Sequence, residues 1–259
     1  MAHAANCGNA TWTRREMSSV EVCSKTDIGL ERSINQDSLF CSTSPVGKLP
    51  NLFMVADGMG GHNAGDFASR YTINKMVELI EQSALPDPIH ILKQAVRQVN
   101  HILLEKSYED EHLRGMGTTL TLATVMGRRL FVMNIGDSRT YLINSRIRQI
   151  SRDHSFVEEL IARGEIEKGS EEYWKKKNII TRAVGAYTSV VPDFFEIPLF
   201  GGEHLLLCSD GLTNMAEDNE IQKIVCSDEE LETRTNALID LANRNGGKDN
   251  IAVILADLD

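Results

Sequence analysis

Five aspartates fall where short apolar runs begin or end. Asp57, followed by Gly58, closes the run from Leu52 to Ala56; Asp210, followed by Gly211, lies just past the run from His204 to Cys208; Asp137 follows Arg129 to Ile135. Asp37 and Asp249 stand where two further strand-like runs start. Any one of them alone reads as a turn or cap residue, because Asp is depleted in strands and common in turns. Together they are carboxylates able to converge at one edge of a sheet, where mutual repulsion is costly unless divalent cations offset it. Oxygen-only donors select hard cations such as Mg²⁺ or Mn²⁺. The seven His residues form neither H-E-x-x-H nor any i, i+4 pair, so a zinc-protease type of site is excluded. The glycines after Asp57 and Asp210 would let the backbone turn sharply and bring a carbonyl close to an ion.

The elements that must position these residues are legible from periodicity. Strands are predicted over Val20 to Thr26, Asp37 to Ser42, Leu52 to Ala56, Thr118 to Met126, Arg129 to Ile135, Ser138 to Ile143, Arg146 to Ile150, His204 to Cys208 and Ile251 to Ala256. Gly127-Arg128 is a two-residue hairpin signal and Asn144-Ser145 a second turn. Apolar residues at i, i+3, i+4, i+7 predict a helix from Ala64 to Ile80 and another through Leu92 to Leu103, with Pro86 and Pro88 between them. Further helices are expected over Asp153 to Arg163, Glu217 to Val225 and Glu229 to Arg244. The polar stretch from Glu165 to Asn178, with Lys175, Lys176 and Lys177, shows no clean period and reads as a surface flap. Its three lysines suit either a solvated loop or an acidic partner. Strands, helices, strands, then helices and a last strand imply a layered α+β domain, not the strict alternation of a parallel α/β fold.

Length and composition bound the rest. The 259 residues carry 27 Lys plus Arg against 37 Asp plus Glu, a net charge of −10, which argues against a nucleic-acid partner. Hydrophobic residues at 42% and charged ones at 25% are those of a folded globular chain. No repeat or Pro-rich linker divides it, so residues 18–259 are read as one domain, preceded by a polar leader over 1–17 expected to be disordered. That leader lacks the apolar core of a signal peptide, no segment approaches the ~18 apolar residues of a membrane span, and the five cysteines are odd in number and unpaired by spacing. A cytoplasmic monomer without membrane contacts is the expectation. None of the five cysteines has an Arg six residues later, which excludes a cysteine phosphatase, and Gly47-Lys48 and Gly247-Lys248 lack the following Ser or Thr of a nucleotide-binding P-loop.

With these motifs in hand, the chain resembles the metal-dependent phosphatases of the protein phosphatase 2C family, its bacterial Ser/Thr type most closely. The resemblance is carried by Arg32-Ser33-Ile34-Asn35-Gln36-Asp37, Ala56 to His62, Gly117-Thr118-Thr119, Ile135 to Arg139, Arg152 to Ser155, Thr181 to Gly185, Ser209 to Leu212 and Asp249-Asn250, in the family's order. It implies a four-layer α-β-β-α sandwich, two antiparallel sheets flanked by helices. It further implies two Mn²⁺ or Mg²⁺ ions at one end, bridged by Asp57, with Gly58 serving through its carbonyl, Asp210 and Asp249 on the second ion, and Asp37 acting through water. In many bacterial relatives Asp137 and Asp210 hold a third, weaker ion. Ions that lower the pKa of a shared water let it attack phosphorus in line, without a covalent enzyme intermediate. Arg32 would grip the substrate phosphate. Met59 stands where animal members carry a His that serves as general acid, leaving His62 as the nearest replacement, and Gln36 replaces a Glu ligand of those members. The implied substrates are phosphoserine and phosphothreonine on proteins, opposing a Ser/Thr kinase. The competing reading is a phosphatase-like binding module without turnover; retention of Asp37, Asp57, Asp210 and Asp249 favours the enzyme.

Overall fold

The computed structural model describes residues 20–61 and 64–258. Two antiparallel sheets lie face to face. The first orders its strands β1-β11-β10-β7-β8, from β1 (Val20–Asp27), β7 (Arg139–Ile143), β8 (Ile147–Gln149), β10 (Glu203–Cys208) and β11 (Ile251–Leu258). The second runs β2-β3-β5-β6-β9, from β2 (Asp37–Ser42), β3 (Leu52–Met59), β5 (Leu120–Met126), β6 (Arg129–Ile135) and β9 (Asp193–Pro198), with the two-residue β4 (Gly117–Thr118) paired to the end of β3.

Side chains alternate across each strand, and the alternation builds three apolar layers. In β3, Phe53 and Val55 point between the sheets, where they join Ala252, Ile254, Leu205 and Leu207. Their neighbours Leu52, Met54 and Ala56 point outward onto α1 (Ala64–Glu81) and α2 (Pro88–Glu109), against Met76, Ile80, Val96 and Val99. On the opposite face Ile251, Val253 and Leu255 pack under α5 (Asp210–Thr213), α6 (Asp218–Val225) and α7 (Leu231–Arg244), with Leu212, Ile221 and Leu238. Strands covered on both sides read as continuous apolar runs, which is why their sequences lack a polar face. Burying a side chain such as Met54 or Leu206 contributes about 1.5–3 kcal/mol. The order helix, sheet, sheet, helix is the four-layer sandwich expected.

Several elements depart from expectation. The flap segment 165–178 is not irregular throughout: it contains α4 (Glu171–Lys176), capped by Ser170, whose side chain accepts from the Tyr173 N–H. Its first turn is acidic and its last turn basic, so i, i+4 pairs and the helix dipole support it without an apolar face. The helix expected from Asp153 begins at Phe156 as α3 (Phe156–Ala162), because Ser155 is its cap. The β7–β8 loop is one residue longer than read, with Ile143 opposite Ile147. Strand β9 and the single turn of α5 went unread.

Candidate metal centre

The five aspartates gather at one end of the sandwich because strand pairing and three loops carry them there. Asp37 and Asp57 are register partners in the antiparallel pair β2–β3, so their Cα atoms face each other directly. Ser209, the residue before Asp210, crosses from the other sheet: its Oγ donates to Asp37 Oδ2 at 2.6 Å and accepts from the Ala252 N–H at 2.9 Å. Asp57 is fixed by Thr118 and Thr119, the second of which links it to Ser138 beside Asp137. The Asp57 N–H donates to Thr119 Oγ1 (2.9 Å), the Asp57 carbonyl accepts from the Thr118 hydroxyl (2.8 Å), and Thr119 Oγ1 is 2.7 Å from Ser138 Oγ. Asp249 lies beside Asn250, whose side chain accepts from the Gln36 N–H and donates to the carbonyls of Ile28 and Ile34. That one amide ties the Arg32 turn, the Asp37 strand and the Asp249 loop together.

The glycines that follow Asp57 and Asp210 have a different purpose from the sharp turn expected of them, since neither has a positive φ. A Cβ on Gly58 would lie 2.0 Å from the Gly65 carbonyl oxygen, and one on Gly211 would lie 2.0 Å from that of Asn250. Both allow two backbones to approach where a side chain would separate them.

Burial and crowding raise the pKa values of this cluster. Asp37 and Asp137 are each pushed up to about 8, first by burial; Asp210 and Asp249 add repulsion at Asp37, and Asp210 and Asp153 at Asp137. Asp57 is held well above the ordinary carboxylate range by burial and by Asp37, Asp210 and Asp137. Asp210 is raised by burial and then by Asp249, against the lowering effect of the Asn214 amide that donates to it. Oδ1 of Asp37 and Oδ1 of Asp210 are buried without a hydrogen-bond donor. Asp37 is the most enclosed, while Asp57, Asp137, Asp210 and Asp249 retain partial exposure, the layout of a cleft with a closed floor.

These features fit a hard divalent cation. Buried carboxylate oxygens lacking donors, all-oxygen chemistry and mutual repulsion are what a dication relieves. Among the described residues no three His, Cys, Asp or Glu side chains are gathered into a ready-made chelate. Backbone carbonyls such as that of Gly58, and water, must therefore complete any coordination shell, as Mg²⁺ and Mn²⁺ sites commonly require. Arg32 sits at the rim, half exposed, with Nη2 2.8 Å from Asp249 Oδ2. Burial alone would lower its pKa; the hydrogen bond and charge of Asp249, with Asp57 and Asp210, raise it. A guanidinium so placed beside the cluster offers its remaining N–H groups to an anion at the mouth.

His62 lies outside the described residues, as does the 1–17 leader. Ser209, Thr119, Asn214 and Asn250 hold the aspartates in place; Ser209, Thr119 and Asn250 stand in the sequence motifs, while Asn214 lies outside them. The signal of Ser209 and Asn250 is their position next to an Asp, and that of Asn214 its place one turn beyond Asp210.

Comparison with known proteins identifies the family. The family model described as protein phosphatase 2C matches residues 31–255. The serine/threonine phosphatase stp of Listeria monocytogenes serotype 4b is 39% identical over 213 residues, 80% of this chain and 84% of that protein. The crystal structure of the serine/threonine phosphatase Stp1 from Staphylococcus aureus superposes with a TM-score of 0.86 at 32% identity, covering 96% of this chain and 99% of that one. The catalytic domain of the serine threonine protein phosphatase PstP, solved in complex with two manganese ions, gives 0.81 at 34% identity over 93% and 99%. Matched over most of its length by the family model and by relatives of this identity, the chain belongs to the protein phosphatase 2C family.

Proposed function

We propose that this protein hydrolyses phosphoserine and phosphothreonine on proteins at the five-carboxylate cleft. The observation that carries the reading is the convergence of Asp37, Asp57, Asp137, Asp210 and Asp249, with donor-free buried oxygens, beneath the Arg32 guanidinium. Divalent cations bound there supply the positive charge that makes water nucleophilic near neutral pH and offsets charge on the phosphoryl oxygens. Asp57, the Gly58 carbonyl, Asp210 and Asp249 are the groups that would hold two such ions, Mn²⁺ or Mg²⁺, with Asp37 contributing through water. Asp137 and Asp210 would hold a third, weaker one. The residues do the rest. Ser209 and Asn214 each donate to one oxygen of a carboxylate, Asp37 and Asp210 respectively, and leave the other oxygen free. Thr119 and Thr118 fix the Asp57 backbone. Arg32 orients the phosphate by parallel N–H donation and restrains it from drifting off the line of attack.

The substrates are phosphoproteins, and we place the enzyme in the cytoplasm, as a monomer opposing a Ser/Thr kinase. The relatives' names, serine/threonine phosphatase and protein phosphatase, support the phosphoprotein substrates. Among the described residues no helix is long and apolar enough to cross a membrane. The decisive experiment is hydrolysis of p-nitrophenyl phosphate and of a phosphothreonine peptide by the purified chain with Mn²⁺. Activity is expected to vanish on chelation and in Asp57→Asn, and robust turnover after removal of metal overturns the proposal.

A further inference from the structure

The flap and the carboxylate cluster are joined by two hydrogen bonds in series. Lys177, the residue that ends α4, donates from Nζ to Asn214 Oδ1 at 2.8 Å, and Asn214 donates from Nδ2 to Asp210 Oδ2 at 2.8 Å. An Asn side chain has one accepting and one donating end, so an ammonium at Oδ1 obliges the amide NH₂ to face the carboxylate. The Asn214 backbone N–H also donates to the Asp210 carbonyl at 2.7 Å, which keeps the amide from swinging away. The two preceding lysines behave differently: Lys175 pairs with Glu171 at 2.5 Å and Lys176 with Glu172 at 2.7 Å, inside their own helix. Lys177 leaves the helix and reaches the cleft.

The surroundings of that ammonium determine what it does. Partial burial, Lys248 and Arg139 all disfavour its charge, and the charge of Asp210 favours it. The Trp174 ring, 5.0 Å below Nζ, adds a weak cation–π attraction. Asp210 is thus the anionic group that holds the flap lysine down, and it is also one of the carboxylates whose charge a divalent ion would take up.

We propose that Lys177 is an internal cation of the cleft, which docks the flap onto Asp210 through Asn214 and competes with divalent ions for the negative charge there, so that ion loading and flap docking oppose each other. The inference rests on the metal-centre reading of Asp210. It makes Lys177 a positioning residue and the flap a reporter of ion occupancy. By reciprocity, whatever factor the ion takes from flap docking, the docked flap takes from ion affinity. A dication and an ammonium separated by this relay, on the order of 8 Å, disfavour each other by about fivefold at the dielectric constant of water, and less as salt screens them.

The test is Mn²⁺ affinity by titration calorimetry on the full chain, together with hydrogen exchange over residues 165–178. Lys177→Met is expected to bind Mn²⁺ about two- to tenfold more tightly at low ionic strength, with the gain shrinking in high salt. Lys177→Arg, which keeps the charge and a donor, is expected to stay near the unsubstituted chain, as is Lys175→Met. Flap exchange should accelerate when Mn²⁺ saturates the unsubstituted chain and be fast in Lys177→Met with or without the ion. Equal or weaker Mn²⁺ binding by Lys177→Met, a salt-independent effect, an equal gain in Lys175→Met, or a flap slowed by Mn²⁺ overturns the proposal and leaves the metal reading standing. No Mn²⁺ binding by the unsubstituted chain overturns both.

Discussion

Raising the pH should destabilise this protein when divalent ions are withheld, and adding them should cancel the loss. The cause is the buried carboxyl cluster. Asp37 and Asp137 titrate at about 8 in the folded chain, against 3.8 for an ordinary Asp, so between those values the folded state binds protons that the unfolded state has released. Stability contributed by such a group is complete below the unfolded pKa and disappears as pH climbs to the folded one. His154 acts in the opposite direction at lower pH. Its burial lowers its pKa below 6.5, so stability gained as the unfolded imidazole deprotonates rises up to that point and is constant above it. The window from pH 6.5 to 8 therefore isolates the carboxyls. One retained proton across those ~1.5 units corresponds to about 2 kcal/mol at 1.36 kcal/mol per unit, and repulsion makes the cluster share protons, so about 2 kcal/mol is the total expected. For a chain of this size that is a fall in Tm of about 4–8 °C. The assay is thermal unfolding by circular dichroism in EDTA at pH 6.5, 7, 7.5 and 8, repeated with Mn²⁺ at a hundredfold excess over its Kd, which adds about 2.7 kcal/mol. The double variant Asp37→Asn, Asp137→Asn should show a smaller fall in EDTA, because burial still raises Asp57 and Asp210 there. A Tm in EDTA that is level or rises from pH 6.5 to 8, or an equal fall in the double variant, refutes the reasoning.

Three other substitutions probe the scaffold around the cluster. Gly211→Ala places a methyl 2.0 Å from the Asn250 carbonyl and should cost about 1–3 kcal/mol in urea unfolding, with a parallel loss of Mn²⁺ affinity as α5 and β11 are forced apart. Ser209→Ala removes both the donor to Asp37 and the acceptor of the Ala252 N–H; a loss of about 1–3 kcal/mol is expected by the same measurement, and wild-type stability would show that neither bond matters. Arg32→Ala should lower kcat/KM for phosphopeptides about tenfold or more, the worth of a charged hydrogen bond, without weakening Mn²⁺ binding, since the Arg competes for Asp249; reduced Mn²⁺ affinity would assign it a structural role.

Local pattern reveals local burial, and that is where the sequence is most readable. Strand β6 is read to the residue, and β5 and β11 nearly so, because apolar layers on both faces leave runs dominated by apolar and β-branched residues. Strand β9 escapes because it is a half-exposed edge, DFFEIP, with an Asp, a Glu and a closing Pro, the composition by which edges avoid further pairing. Helix α4 escapes for the converse reason: ion pairs along its surface hold it, so no apolar period marks it.

The candidate site divides along the same line. All five aspartates are visible as interruptions of apolar runs, yet nothing local says that Asp37 stands opposite Asp57, which is a matter of strand register, or that Ser209 donates to Asp37 across 172 positions of sequence. The glycines after Asp57 and Asp210 are visible too, but for the wrong reason, since the carbonyls that exclude a Cβ there belong to Gly65 and Asn250. Lys177 shows the limit most plainly. In sequence it is the third of three equivalent lysines; in the fold its neighbours pair within a helix while it turns inward to Asn214. A side chain's role at this cleft is decided by which long-range partner presents the complementary atom. The chemistry is therefore legible as residue types before the fold is known, and its control becomes legible only afterwards.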